Sequence, residues 1–173
     1  PGRRGTGRAS GGISATLIPL QALRARGHEV IVVDGGSVDA TVTQARPLCD
    51  RMLNSAPGRA RQMNAGAQAA AGDVLWFVHA DTGVPVDSDD LILQAVQGDA
   101  VWGRFDVRLS GRQPLLRLVA WLMNLRSRIT GIATGDQGIF VKRAVFTAVV
   151  GFPEIPLMED IALSRALKQH AHP

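Results

Sequence analysis

The chain has 173 residues, 46% hydrophobic and 20% charged, which suits one soluble globular domain with a proper core. No apolar run approaches the ~20 residues that span a bilayer, and no signal-peptide core stands at the N-terminus. The single cysteine, Cys49, excludes an internal disulfide and a multi-cysteine metal site; it reads as a core or boundary residue, and the expected compartment is the cytoplasm. The net charge of +4 rests on dispersed arginines rather than on a basic stripe with interleaved aromatics, so nucleic acid is not the expected partner. Anionic small ligands or an anionic membrane surface suit that charge equally well.

Residues 1–12 are Gly, Arg, Ser and Thr with almost no apolar side chain, and the expectation is a disordered leader. Ile13 to Leu20 reads as a short strand, and Gln21 to Arg26 as helical until Gly27-His28. Glu29 to Asp34 is β-branched through its middle and reads as a buried strand. It runs into Asp34-Gly-Gly-Ser37, where Ser37 or Asp39 can cap a helix over Ala40 to Ala45, closed by Pro47. Arg51 to Asn54 reads as a short strand. Ala60 to Ala71 is Ala-rich and helical, with Gly72 as its C′ residue.

Val74 to Val78 is a continuous apolar run between turn signals, the pattern of a strand buried on both faces of a parallel sheet. Such sheets bind ligands beyond the carboxyl ends of their strands. His79 and Asp81 stand there, at a spacing that leaves an extended chain on one side. A helix is expected over Leu91 to Val96, and an antiparallel edge strand over Ala100 to Leu109. Pro114 to Ile129 is helical and apolar on most faces. The expectation for such a helix is burial; the alternative is a peripheral membrane contact through 114–129, helped by Trp121, Arg117, Arg126 and Arg128. A Gly-rich loop spans Gly131 to Gly138, a strand Ile139 to Val141, and helices Lys142 to Val149 and Glu159 to Lys168. Strands alternating with helices imply a three-layer α/β fold.

Several clusters can carry chemistry. Asp34 with the flexible Gly35-Gly36-Ser37 backbone suits a ribose or a base. Asp81 beside His79 suits a divalent cation that faces phosphate, with Mn²⁺ slightly ahead of Mg²⁺. Glu159 and Asp160 open a helix, where acids are favoured by the dipole; a general base is the functional alternative. Asp136 and Gln137 lie between glycines, in a binding loop or a tight turn. Arg59, Arg61 and Asn64 near a helix N-terminus can meet phosphate or simply stay solvated. A dinucleotide-binding loop of the Gly-x-Gly-x-x-Gly type is not present at Asp34-Gly-Gly-Ser.

The order of these motifs is more specific than any one of them. Val32-Val33-Asp34-Gly35-Gly36-Ser37, Asn64-Ala65-Gly66, Gly72-Asp73, His79-Ala80-Asp81-Thr82, Gly135-Asp136-Gln137, Gly151-Phe152-Pro153 and Met158-Glu159-Asp160 together resemble family 2 glycosyltransferases of the GT-A fold. The likeness is closest to the small bacterial subgroup with His-Ala-Asp in place of Asp-x-Asp, often labelled arsenosugar-biosynthesis-type glycosyltransferases. The resemblance implies a Rossmann-like α/β domain with a central, mostly parallel sheet and helices on both faces. It implies inverting transfer from a nucleotide-diphosphate sugar to a hydroxyl acceptor, assisted by Mn²⁺ or Mg²⁺. By position, Asp34, Gly35, Ser37, Arg59, Asn64 and Asp81 would bind the nucleotide sugar, with Asp81 and His79 at the metal. Asp160 would be the general base with Glu159 its neighbour, and Asp136 and Gln137 would line the acceptor side. The family's Pro-x-x-Asn-Glu is not found after Ile18-Pro19-Leu20. The domain, residues 13–173, is therefore expected to be incomplete at its first strand and at its C-terminus. A degenerate, non-catalytic nucleotide- or partner-binding domain of the same fold is the alternative.

Overall fold

The computed structural model describes residues 12–109, 111 and 113–170. The expected leader, with Arg3, Arg4 and Arg8, lies outside the described residues apart from Gly12. The first element is a helix, α1 (Ile13–Ala25), and not a strand followed by a helix. Its apolar residues recur at helical spacing, so that Leu17, Leu20 and Leu23 form one buried stripe. Pro19 stands inside the helix, and Ile18-Pro19-Leu20 is therefore not a strand end.

β1 (Ile31–Asp34) pairs in parallel with β2 (Arg51–Asn54), Asp34 opposite Asn54. Between them come α2 (Thr41–Ala45) and a 3₁₀ turn, Arg46–Leu48, that contains Pro47. Thr41 N–H donates to the Asp39 carboxylate over 3.0 Å, so Asp39 rather than Ser37 holds the start of α2. α3 (Arg59–Ala69) stops earlier than expected: Ala70 is already extended, and Gly72 is not its left-handed terminus.

β3 (Val74–Trp76) is shorter than the apolar run that contains it, and it pairs antiparallel with β5 (Phe140–Lys142). β5 also takes β4 (Trp102–Gly103) on its other edge, antiparallel as expected but much shorter than Ala100 to Leu109. No ladder joins β1 to β3 among the described residues. The remaining helices are α4 (Ser88–Gln97), α5 (Pro114–Thr130), α6 (Arg143–Ala148) and α7 (Glu159–Lys168).

Side chains of β3 and its extension alternate between two cores, as the two-residue period of a strand requires. Leu75 and Phe77 face a cluster that includes Val141, Phe146, Leu163 and Leu167, beside α3, α6 and α7. Trp76 and Val78 face a second cluster built from Leu17, Leu20, Leu23, Val30 and Ala45, beside α1 and α2. Helices therefore cover both faces. Cys49 closes the second cluster, its Sγ 3.7 Å from the Arg46 carbonyl, and burial pushes its thiol pKa up.

α5 departs most from expectation. It is the expected helix, but Leu115, Leu118, Trp121, Leu122 and Ile129 are exposed rather than buried. Its inner face is small and polar instead. Ala120 and Ser127 are buried, and the Asn124 amide accepts from Val107 N–H over 2.8 Å and donates to Val107 C=O over 3.0 Å. Gly131 ends the helix in the left-handed region at φ 62°.

Candidate functional site

The site grows from the end of β1. Asp34 is buried there, and its carboxylate accepts the N–H of Gly36 over 2.9 Å and that of Ser37 over 2.9 Å. The Ser37 side chain and amide hold the Asp34 carboxyl below its ordinary range, so it is ionised at neutral pH. Gly36 adopts φ 101°, open to glycine at little cost. Gly35 leaves room for a neighbour: a Cβ there would stand 2.8 Å from Gln62 Nε2 and would push that side chain aside. That Gln62 amide donates to Val33 C=O over 3.1 Å and so ties α3 to β1 behind the loop.

A cleft of about 360 Å³ opens beside this loop. Asp34, Gly35, Gly36, Ser37 and Thr41 line it, together with Ala80. The Ala80 carbonyl is held from behind by the Thr16 hydroxyl of α1 at 2.6 Å. Of the His79-Ala80-Asp81 turn only Ala80 lines the cleft, and through it the turn meets the Asp34 loop. Gln62 lines this cleft and Thr16 holds its Ala80 edge, and neither carries a motif signal; only their placement on α3 and α1 reveals them.

His79 and Asp81 are not side by side on an extended chain. Thr82 N–H donates to the His79 carbonyl over 3.0 Å, which closes a turn at the end of the β3 run. The imidazole of His79 lies against Gly135, where any Cβ would overlap its Nε2. Asp81 is exposed and makes no hydrogen bond or ion pair among the described residues. No group of three or more His, Cys, Asp or Glu among those residues is arranged to hold a metal. One free carboxylate suits a divalent cation that draws most of its oxygens from a diphosphate and water.

The far side of Gly135 belongs to Asp160. Gly135 N–H donates to Asp160 Oδ2, and Ile161 N–H donates to Oδ1 over 2.8 Å. Gly135 therefore separates the His79 ring from the Asp160 carboxylate by one backbone unit. Met158, just before the acids, sits in the left-handed region at φ 67°, a conformation costing a non-glycine residue on the order of 1 kcal/mol. Glu159 is buried at 4% exposure, so its carboxylate does not face the open cleft.

The remaining residues are placed as follows. Asp136 is exposed in a 3₁₀ turn, Gly135–Gln137. Gln137 is 1% exposed; its Oε1 accepts from Thr134 N–H over 3.0 Å and its Nε2 has no hydrogen-bond partner. An acceptor reaches Gln137 only if that turn opens. Asn64 donates from Nδ2 to Phe152 C=O over 2.8 Å and accepts Phe152 N–H over 3.0 Å. A Cβ at Gly151 would stand 2.7 Å from its Oδ1. Arg59 is exposed at the first residue of α3, and neither it nor Asn64 lines the cleft. Arg61 instead pairs with Glu154 at 2.8 Å on the surface.

The chain has known counterparts. Two uncharacterized glycosyltransferases of Mycobacterium tuberculosis, MT1564 of strain CDC 1551 and Rv1514c of strain H37Rv, are each 34% identical over 128 residues, 70% of this chain. The matched region spans 42% of those proteins, so this chain corresponds to less than half of their length. The Staphylococcus aureus TarS 1–349 crystal structure superposes with a TM-score of 0.69 at 18% identity, covering 90% of this chain and 50% of that one. That likeness establishes a shared α/β fold of the GT-A type. The sequence profile of glycosyl transferase family 2 matches residues 19–144, from the middle of α1 to the start of α6. With the fold and the motif order in agreement over most of its length, the chain belongs to glycosyl transferase family 2.

Proposed function

We propose that the chain is the donor-binding and catalytic part of an inverting glycosyltransferase that uses a nucleotide-diphosphate sugar with Mn²⁺ or Mg²⁺. The observation that carries this reading is the shared cleft: the Asp34 loop and Ala80 of the His79-Ala80-Asp81 turn both line it, and Gly135, against which the His79 ring packs, donates its N–H to Asp160. Asp34, Gly35 and Ser37 would hold the nucleoside, whereas Arg59 and Asn64 lie outside this cleft and the Asn64 amide is committed to the Phe152 backbone. Asp81 would hold the cation at the diphosphate, whereas the His79 ring is turned toward Gly135 rather than toward Asp81; the bound ion would neutralise charge developing on the leaving group.

Inverting transfer needs one base. The acceptor hydroxyl oxygen attacks the anomeric carbon from the face opposite the diphosphate. Its proton passes to the Asp160 carboxylate as the bond to the diphosphate oxygen breaks. The amides of Gly135 and Ile161 fix the orientation of that carboxylate and leave each oxygen a lone pair for the proton. Glu159 would support the helix start beside the base, and Asp136 and Gln137 would bound the acceptor side.

The test is a thermal-shift screen of common nucleotide-diphosphate sugars with and without Mn²⁺. A rise in the midpoint that needs both donor and Mn²⁺ is expected, and it should vanish in Asp81→Ala. A folded chain that no donor shifts would overturn the proposal. Asp160→Asn should retain donor binding while turnover drops about 10²–10⁴-fold, the usual contribution of a general base. Donor binding with no turnover in the parent chain would instead favour a non-catalytic domain of the same fold.

A further inference from the structure

The outward face of α5 is assigned here to a partner that the described fold does not contain. At about 100° per residue, Leu118, Leu122, Leu125 and Ile129 fall within an arc of about 60°. Leu115 and Trp121 widen it to about 120°. All six are exposed, Ile129 to 76% and Leu115 to 64%. Arginines border the strip on both sides: Arg117 and Arg128 beyond Trp121, and Arg126 beyond Leu115. The helix carries no acidic residue. Asn124 and Ser127 fasten its opposite face to the Val107 backbone and the Ile132 carbonyl, so the apolar strip cannot roll inward without breaking those bonds.

We infer that α5 docks this domain in the plane of an anionic lipid surface. Arginine on both flanks is the charge pattern that such a surface complements, and Trp121 at the edge of the strip matches the preference of indole for the headgroup boundary. Arg128 already pairs with Asp106, whereas Arg117 and Arg126 have no carboxylate partner among the described residues. No helix among those residues is long and apolar enough to cross a bilayer, so the contact lies in the interface. This inference does not depend on the sugar-transfer reading.

The test is co-sedimentation of the 173-residue chain with phosphatidylcholine vesicles, with and without one quarter phosphatidylglycerol. Each basic side chain near an anionic surface is worth roughly fivefold in partitioning. Replacing both Arg117 and Arg126 by Gln should therefore weaken binding to the anionic vesicles roughly twenty-five-fold while leaving weak binding to neutral ones unchanged. Leu122→Glu with Ile129→Glu should reduce binding by at least about tenfold. Both side chains are exposed, so the far-UV spectrum should be preserved. On vesicle binding, tryptophan fluorescence should shift to the blue, and Trp121→Phe should remove that shift although Trp76 and Trp102 remain. No binding of the folded chain to anionic vesicles, equal binding to neutral ones, or no change in these variants would overturn the inference. So would a stable dimer that Leu122→Glu dissociates, because the strip would then belong to a second copy.

Discussion

Asn64 is the residue whose motif membership says least about its surroundings. The Asn-Ala-Gly pattern reads as part of a donor site, yet both ends of the Asn64 amide bind the backbone of Phe152, which is 2% exposed. Removing the amide leaves a buried N–H and a buried C=O without partners. Asn64→Ala should therefore lower stability by about 2 kcal/mol, measured as a shift in the urea midpoint at unchanged slope. Gly66, two positions on, was legible as a small residue but not for its cause: a Cβ there would press on Val33 Cγ2 at 3.2 Å, at the α3–β1 contact. Asp34 and Asp160 were readable as acids at element ends. That each is oriented by backbone amides of its own loop or of a distant loop depended on the chain closing around them.

Among elements, α5 and α1 were misread for opposite reasons. In α5 the abundance of Leu, Val and Trp suggested burial, because apolar surface ordinarily leaves water. Burial instead followed small size and polar matching, through Ala120, Asn124 and Ser127. Asn124→Ala should release the Val107 segment, seen as faster amide exchange at Val107 and its neighbours with little change in the α7 core. In α1, Pro19 and a short apolar run suggested a strand end, but the spacing of Leu17, Leu20 and Leu23 is helical. β2 and α7 match their expected bounds because each has sharp local limits, and α7 begins with acids that favour a helix N-terminus. The core at α7 should be the least tolerant region: Leu163→Ala, at 0% exposure, should cost about 2–5 kcal/mol.

At the scale of the molecule, buried carboxylates set the response to acid. Asp89 is 6% exposed and accepts from Arg26 Nε over 2.6 Å and Nη2 over 2.7 Å, with His28 Nε2 at 3.0 Å. This joins the end of α1 to α4. The Arg26 guanidinium holds the Asp89 pKa at about 2, against an ordinary 3.8. The folded value lies below the unfolded one, so the stabilisation is complete above about pH 4 and is lost as pH falls through about 2. Asp34 and Asp50 are lowered as well and act with the same sign. Urea midpoints should fall steeply between about pH 4 and pH 2, and Asp89→Asn should be less stable at neutral pH with a shallower acid limb.

The amino-acid sequence by itself determined the α/β class, the order of the motifs and most element positions. Those features are local: turn residues, β-branched runs and helix-opening acids act within a few neighbours. Tertiary structure alone decided three things. It decided that β3 pairs antiparallel with β5, since strand direction depends on which distant segment supplies the hydrogen bonds. It decided that the His79 ring packs against Gly135 rather than beside Asp81, since the chain turns at Ala80. It also decided that the apolar side of α5 faces outward, since an amphipathic pattern fixes which residues share a face but not which face meets the core.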